Sequence, residues 1–183
     1  MMELEWFTVS TPLPTGSMRV AVTAQGVAAA AFNPRESVGL PPGTELADPA
    51  GDRRAAAVAA QFADYFAGRR QDLDLPVDWR LTSGVQRTVL RTLHRSVGWG
   101  RTITYGGLAD LSGAFEPGLP AGAPARTVGS IAGSCPISLL VPCHRVVAAD
   151  GLGGFGGGAE GMAVKRWLLT REGVLDPELD WTG

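Results

Sequence analysis

The chain has 183 residues, of which 45% are hydrophobic, enough to bury a core in one or two compact domains. The net charge of −2 does not indicate a polyanion-binding protein. The charge is uneven, however, with −3 on residues 1–80 and +4 on residues 81–172, so nucleic-acid binding by the second half remains possible. Two cysteines and two histidines are too few for a disulfide framework or a structural zinc site. The sequence has no apolar run of membrane length and no signal-peptide pattern, so it predicts a cytoplasmic protein.

The first half begins with alternating apolar and polar residues that predict strands near residues 6–9, 18–22 and 27–32. Gly16 and Gly26 mark the turns between them. A helical periodicity follows over residues 54–67, and its aromatic stripe is more typical of a core than of a cofactor site. Residues 72–79 predict an extended linker.

The second half begins with a predicted helix. Ser83 and Gln86 have the spacing of a capping box, and the apolar face consists of Val85, Val89, Leu93 and Val97.

Two short helices are predicted next. Thr104 is placed to cap one that runs through Leu111, and Pro124 suits the first position of another that runs through about Ala132. Two short helices in succession indicate a helix-turn-helix, with an unusually long connection. A last amphipathic helix containing Val164 and Leu168 is predicted to end near residue 172.

The sequence Pro-Cys-His-Arg-Val-Val at residues 142–147 places one cysteine beside one histidine. An adjacent imidazole is a usual way to lower the pKa of a reactive thiol, and Pro142 predicts that Cys143 lies at a rigid turn. The alternative is a structural cysteine buried in the core beside a surface histidine. Because adjacent cysteine and histidine residues are not specific, the pair by itself favours this alternative. Glu172 is a candidate to orient the His144 imidazole, or a solvated carboxylate at a helix end.

Three further residues have both a functional and a structural interpretation. Arg126, with small neighbours, could fill the place of a base extruded from a duplex, or be a surface arginine. The glycine-dense loop at residues 151–161 lacks a phosphate-loop ending, so a flexible loop at the border of a pocket, with Phe155 available for stacking, is the better interpretation. Tyr105 is either a pocket wall or a core aromatic.

Together these motifs resemble the methylated-DNA–protein-cysteine methyltransferases, also called O6-alkylguanine-DNA alkyltransferases. The resemblance is strong over about residues 83–173. The matching motifs are, in chain order, Ile-Thr-Tyr-Gly at 103–106, Ala-Arg-Thr-Val-Gly at 125–129, Val-Pro-Cys-His-Arg-Val-Val at 141–147, Gly-Phe-Gly-Gly at 154–157, Lys-Arg-Trp-Leu-Leu at 165–169 and Glu-Gly at 172–173.

The resemblance implies an α/β fold in two domains. The N-terminal α/β domain has a small antiparallel sheet and, with its linker, covers residues 1–80. The C-terminal domain, residues 81–175, is mainly helical and contains the helix-turn-helix. Residues 176–183 form a tail.

The resemblance also implies a function, direct repair of double-stranded DNA that carries O6-alkylguanine, with O4-alkylthymine as a further candidate substrate. The alkyl group moves irreversibly to the protein in one turnover, without cofactor or metal. We expect a cytoplasmic monomer that associates with the nucleoid when it acts and does not bind a membrane.

The implied roles fall on nine residues. Cys143 is the nucleophile, activated through water by His144, which Glu172 orients. The residues implied to bind substrate or DNA are Arg126 as the intercalating residue, Tyr105 for nucleotide rotation, Val146 for reading guanine through its backbone, Phe155 beside the pocket, and Thr127 and Ser130 on the DNA-facing helix.

The chain departs from the family at Cys135-Pro136, where the family has Asn-Pro. Either the asparagine brace of the turn is lost, or Cys135 acts as a second thiol near Cys143. Two other functions stay open, a non-catalytic or slow lesion sensor of the same fold and a thiol hydrolase that uses Cys143 and His144.

Overall fold

The structure is a computed structural model that describes residues 3–32 and 40–177. Most of the predicted tail, from residue 178 onward, therefore lies outside the described residues. Within them, no helix is long and apolar enough to cross a membrane.

Three alternating segments form an antiparallel meander, as predicted. The strands are β1 (Glu5–Ser10), β2 (Ser17–Thr23) and β3 (Gly26–Ala31). Gly16, with φ of 77°, permits the tight turn between β1 and β2. A short strand β4 (Thr44–Glu45) adds to the other edge of β1 in parallel, so the sheet is not purely antiparallel.

Helix α1 (Arg53–Phe66) packs its aromatic face into the core. Its N-cap, Asp52, accepts hydrogen bonds from the backbone N–H groups of Arg54 and Ala55. Val58, Phe62 and Tyr65 are buried, which confirms the core interpretation of this stripe.

Helix α2 (Gly84–Ser96) differs from its prediction at the N-terminus. The Ser83 side chain makes no capping hydrogen bond, so the predicted capping box is wrong. Val85 is 41% exposed because it lies in the first turn, ahead of the part of α2 that packs against the core. Val89, Leu90 and Leu93 form the buried face.

The two short helices are present close to their predicted bounds, and the first has its predicted cap. They are α3 (Tyr105–Ser112), where Thr104 accepts from the N–H of Gly107 at 3.0 Å, and α4 (Ala123–Gly133), which has Pro124 in its first turn. They pack against each other and against α2. The last helix, α5 (Gly158–Arg171), begins earlier than predicted and includes residues 158–161, which the sequence assigned to the glycine-dense loop.

The segment before Cys143, residues 134–142, reverses direction and joins the sheet. The backbone of Ala30 in β3 accepts from Ser138 N–H at 2.9 Å and donates to Pro136 carbonyl at 2.8 Å. Leu139 has a φ of 74°, an uncommon conformation for a branched residue, and Val141 N–H bonds back to the Ile137 carbonyl. We call residues 134–142 the thiol loop.

The thiol loop leads into a 3-10 turn, Cys143–Arg145, and then into β6 (Val146–Val147). Strand β6 pairs in parallel with β5 (Ile103–Thr104), directly before α3. The cysteine turn is thus fixed to the sheet on one side and to the helix pair on the other. One hydrophobic cluster extends from β1 to α5.

The buried face of α1 gives a test of the core. Phe62→Ala should lower the free energy of unfolding by about 3–5 kcal/mol, because it removes a completely buried ring and leaves a cavity. Val85→Ala, at the exposed position, should change it by less than about 0.5 kcal/mol. Urea denaturation measures both, and equal effects would contradict the assignment of Val85 to the surface.

Candidate active site

Glu172 is the most highly connected side chain of the site. It directly follows α5 and its carboxylate is completely buried. Oε1 lies 2.8 Å from Nε2 of His144, and both oxygens accept hydrogen bonds of 2.9 Å from the Arg145 guanidinium. The predicted contact between Glu172 and His144 is therefore present, and Arg145 joins it as a third, positively charged partner.

The charges of this cluster follow from its contacts. Burial alone would raise the pKa of Glu172, but hydrogen bonds from His144 and Arg145 outweigh it and lower the pKa to about 2. Burial is also the main cause that lowers the pKa of His144 below its ordinary value. At neutral pH the pair is therefore an ionised carboxylate and a neutral imidazole.

The ionised carboxylate also decides which nitrogen of His144 carries the proton. A carboxylate can only accept, so Nε2 must be the N–H donor to Glu172 and Nδ1 is left with a lone pair. Nδ1 is buried and has no hydrogen-bond partner within residues 3–32 and 40–177. The geometry thus provides a neutral imidazole whose free nitrogen can accept a proton.

Arg145 was not among the predicted site residues. Besides its paired bonds to Glu172, it donates from Nη1 to the Val97 carbonyl at 2.8 Å, at the end of α2. The only signal in the sequence is its place in the Cys-His-Arg motif, since nothing local predicts that an arginine is buried. Its contacts hold the cysteine turn against α2 and α5.

Cys143 lies in the core of the protein, with 2% of its surface exposed. The pKa of its thiol is raised well above the ordinary value, first by a hydrogen bond with the Cys135 side chain and then by burial. A nearby positive charge on Lys165 acts in the opposite direction. The expectation that the adjacent imidazole lowers this pKa is wrong for the free protein, because the His144 ring is neutral and adds no positive charge beside the thiol.

Lys165 is a second functional residue that sequence reasoning missed. It lies on α5, completely buried, and donates to the carbonyls of Val146 at 2.7 Å and Gly154 at 3.0 Å. Burial lowers its pKa to about 8. A lysine in an amphipathic helix would ordinarily be expected at the surface, so the only signal in the sequence is its place in the motif at residues 165–169.

A groove of about 510 Å³ lies beside the cysteine turn, between α3, α4 and the glycine-rich loop. Four predicted residues line it, namely Tyr105, Arg126, Ser130 and Phe155. The Tyr105 hydroxyl donates to the Gly154 carbonyl at 3.0 Å, which assigns Tyr105 to the pocket wall.

The other five predicted residues, including His144 and Glu172, lie outside the lining of this groove. Thr127 is exposed on α4, and its hydroxyl donates to the Ala123 carbonyl at 3.1 Å. Val146 is buried, and its carbonyl accepts from Lys165. Cys143 does not line the groove, but Lys165 contacts its walls, because Nζ is 5.9 Å and 5.7 Å from the ring centroids of Tyr105 and Phe155.

The glycine-rich loop is packed closely rather than open. A Cβ on Gly156 would lie 2.5 Å from the Gly133 carbonyl of α4, and a Cβ on Gly161 would lie 1.7 Å from the Gly156 carbonyl. These contacts are too short for any side chain. The glycines therefore let the backbones of α4, the loop and α5 meet, as close helix packing requires.

No group of three or more metal-ligating side chains occurs in the described part of the chain. The fold and site thus define a class of protein, an α/β protein with a pair of helices beside a buried thiol and a histidine–glutamate pair.

Comparison with known proteins identifies the family. Residues 84–174 match the family model described as 6-O-methylguanine DNA methyltransferase, DNA binding domain. A solved O6-methylguanine methyltransferase from Mycobacterium tuberculosis superposes with a TM-score of 0.70 at 28% identity, covering 98% of this chain and 97% of that one. The same organism's protein in complex with DNA gives a TM-score of 0.74 over 92% and 93% of the two chains.

Curated relatives support the same family assignment. A DNA base-flipping protein from Thermus thermophilus is 46% identical over 61% of this chain and 68% of its own length. A methylated-DNA–protein-cysteine methyltransferase from Shigella flexneri is 42% identical over 63% of this chain, a match that spans 61% of that relative. The chain belongs to the O6-methylguanine DNA methyltransferase family.

The buried carboxylate gives a pH-dependent test. Glu172→Gln should lower the free energy of unfolding by about 3 kcal/mol near neutral pH, because the Arg145 charge is left without its partner. The pKa of Glu172 falls from 4.5 to about 2 on folding, so its contribution is present above pH 4.5 and is lost as the pH falls toward 2.

Urea unfolding of both proteins between about pH 7 and about pH 3 measures this effect. The difference between wild type and variant should shrink as the pH is lowered. Glu116→Gln, at an exposed carboxylate, is the matched control and should show no such trend. A constant difference across the range would contradict the ion-pair assignment.

Proposed function

We propose that the protein repairs O6-alkylguanine in double-stranded DNA by transferring the alkyl group to Cys143, once per protein molecule. The observation that carries the proposal is the contact of His144 with Glu172 directly beside a buried free thiol. The names of several relatives, methylated-DNA–protein-cysteine methyltransferase, support the same chemistry.

In the proposed reaction, Cys143 gives its proton through a water molecule to Nδ1 of His144. The sulfur then attacks the alkyl carbon, a C–S bond forms and the bond between that carbon and O6 breaks. The guanine leaves with a proton supplied by the Tyr105 hydroxyl. The resulting thioether is stable, so the acceptor is consumed.

The charges of the site favour these reaction steps. Glu172 stabilises the imidazolium that forms on His144, as a buried carboxylate does for a catalytic histidine in other nucleophilic sites. The Lys165 charge favours the thiolate over the thiol. Because Cys143 is protonated in the free protein, its reactivity depends on substrate binding in the groove.

The groove supports extrusion of a base from the duplex. Arg126 and Ser130 are exposed on α4, and Thr127 lies on the same side of this helix, where it can approach the DNA backbone. Arg126 would enter the duplex as the nucleotide rotates past Tyr105. The base would then contact Phe155 and the backbone of Val146.

We further propose that the protein acts as a cytoplasmic monomer that associates with the nucleoid, without cofactor or metal. A second function, a lesion sensor that flips bases without repairing them, is favoured by one observation, the name of the Thermus thermophilus relative. The presence of Cys143 with its histidine–glutamate pair favours repair.

Alkyl transfer is tested by mass spectrometry. The protein is incubated with duplex DNA containing O6-methylguanine, and the peptide with Cys143 should gain the mass of one methyl group. Cys143→Ser should gain none while it still binds the DNA. Lesion binding by wild type without methylation would favour the sensor, and multiple turnover without thioether would point to a hydrolase.

The role of Arg126 is tested with two substrates. Arg126→Ala should slow methyl transfer from duplex DNA by at least about tenfold, the factor that about 1.4 kcal/mol of lost flipping free energy gives. Transfer from free O6-methylguanine base should be unchanged, since no extrusion is needed. Arg53→Ala removes the same charge from α1, away from the groove, and should leave both rates unchanged.

A further inference from the structure

The two cysteines of the chain form a pair at the site. Both are free thiols, and the Cys135 side chain is the first cause of the raised pKa of the Cys143 thiol. Cys143 belongs to the hydrophobic core, and Cys135 is half-buried and packs against that core. Cys135 lies near the start of the thiol loop, in which the chain reverses, and Cys143 directly follows the loop.

The backbone of the thiol loop holds this pair together. The reversal at Leu139 and the hydrogen bond from Val141 N–H to the Ile137 carbonyl return the chain toward its starting point. The Ser138 hydroxyl donates to the Cys135 carbonyl at 3.4 Å, and Ala30 of β3 fixes the first part of the loop. A folded and hydrogen-bonded loop thus separates the two cysteines and returns the chain toward the first of them.

The two thiols differ in access. Cys135 lines a cavity of about 440 Å³ between β3, the end of α4 and the start of α5. Cys143 does not line this cavity and is 2% exposed. A small solute that enters from this side therefore meets Cys135 first.

We propose that Cys135 and Cys143 form an oxidation site, at which a hydroperoxide oxidises Cys135 and Cys143 then closes an intramolecular disulfide. The asparagine expected in this family at residue 135 could not take part in this chemistry. The site is thus a property of this chain, and its effect on repair rests on the proposed function of Cys143.

The reaction takes place in two balanced steps. The Cys135 sulfur attacks one oxygen of the hydroperoxide, the O–O bond breaks, and a sulfenic acid and an alcohol or water form. The Cys143 sulfur then attacks the Cys135 sulfur, the S–O bond breaks, and the hydroxide leaves as water with the Cys143 proton. Two thiols are oxidised to one disulfide and one hydroperoxide is reduced.

The consequence for the site is reversible loss of the alkyl acceptor. A sulfur in a disulfide cannot attack an alkyl carbon, whereas thiol reductants regenerate it by exchange. Without Cys143 as a partner, the sulfenic acid on Cys135 would continue to sulfinic acid, which is ordinarily irreversible. The second thiol therefore keeps the oxidation of this site reversible.

The test uses a single tryptic peptide, residues 127–145, which contains both cysteines and no internal cleavage site. The full-length protein is treated with hydrogen peroxide, free thiols are blocked, and the peptide is weighed. We expect the loss of the mass of two hydrogen atoms, blocked methylation by O6-methylguanine DNA, and recovery of both thiols and methylation with dithiothreitol.

Cys135→Ser is the control variant. After the same treatment, its buried Cys143 should keep a free thiol and should still accept the methyl group. An unchanged peptide mass in the wild type, disulfide-linked dimers, or a loss of methylation in the variant equal to that of the wild type would each overturn the proposal. If reduced protein accepts no methyl group but the disulfide forms, the proposed repair function fails and the oxidation site stands.

Discussion

One buried negative charge, the carboxylate of Glu172, connects the parts of this protein that carry its chemistry. It joins the end of α5 to the cysteine turn through His144 and Arg145, and Arg145 extends the connection to the end of α2. Isolated burial of a charge is strongly unfavourable, so these hydrogen bonds offset the cost of burying the carboxylate. They also hold the three chain segments together in the observed arrangement.

That constraint also determines the state of the reactive groups. An ionised carboxylate fixes the proton of His144 on Nε2 and leaves Nδ1 with a lone pair, while Cys135 and burial together raise the pKa of the Cys143 thiol and keep it protonated. The positive charge of the buried Lys165 acts in the opposite direction on that thiol. The free protein thus holds a protonated thiol next to a neutral imidazole.

The sequence predicted what local chemistry determines and missed what distant contacts determine. The Thr104 cap and the proline in the first turn of α4 act on their own helices, so both short helices were predicted closely. Val85 fits a helical periodicity, but only the packing of α2 shows that it is exposed. The burial of Lys165 and the raised pKa of Cys143 depend on groups elsewhere in the chain, which no local pattern reveals.

The thiol loop has one more consequence, which concerns solubility. Its hydrogen bonds with Ala30 cover part of the outer edge of β3, which would otherwise present unpaired backbone groups. Exposed strand edges recruit other chains and promote aggregation. The segment that presents the cysteine therefore also shields the sheet from self-association, so a substitution that displaces this loop would endanger the soluble state as well as the chemistry.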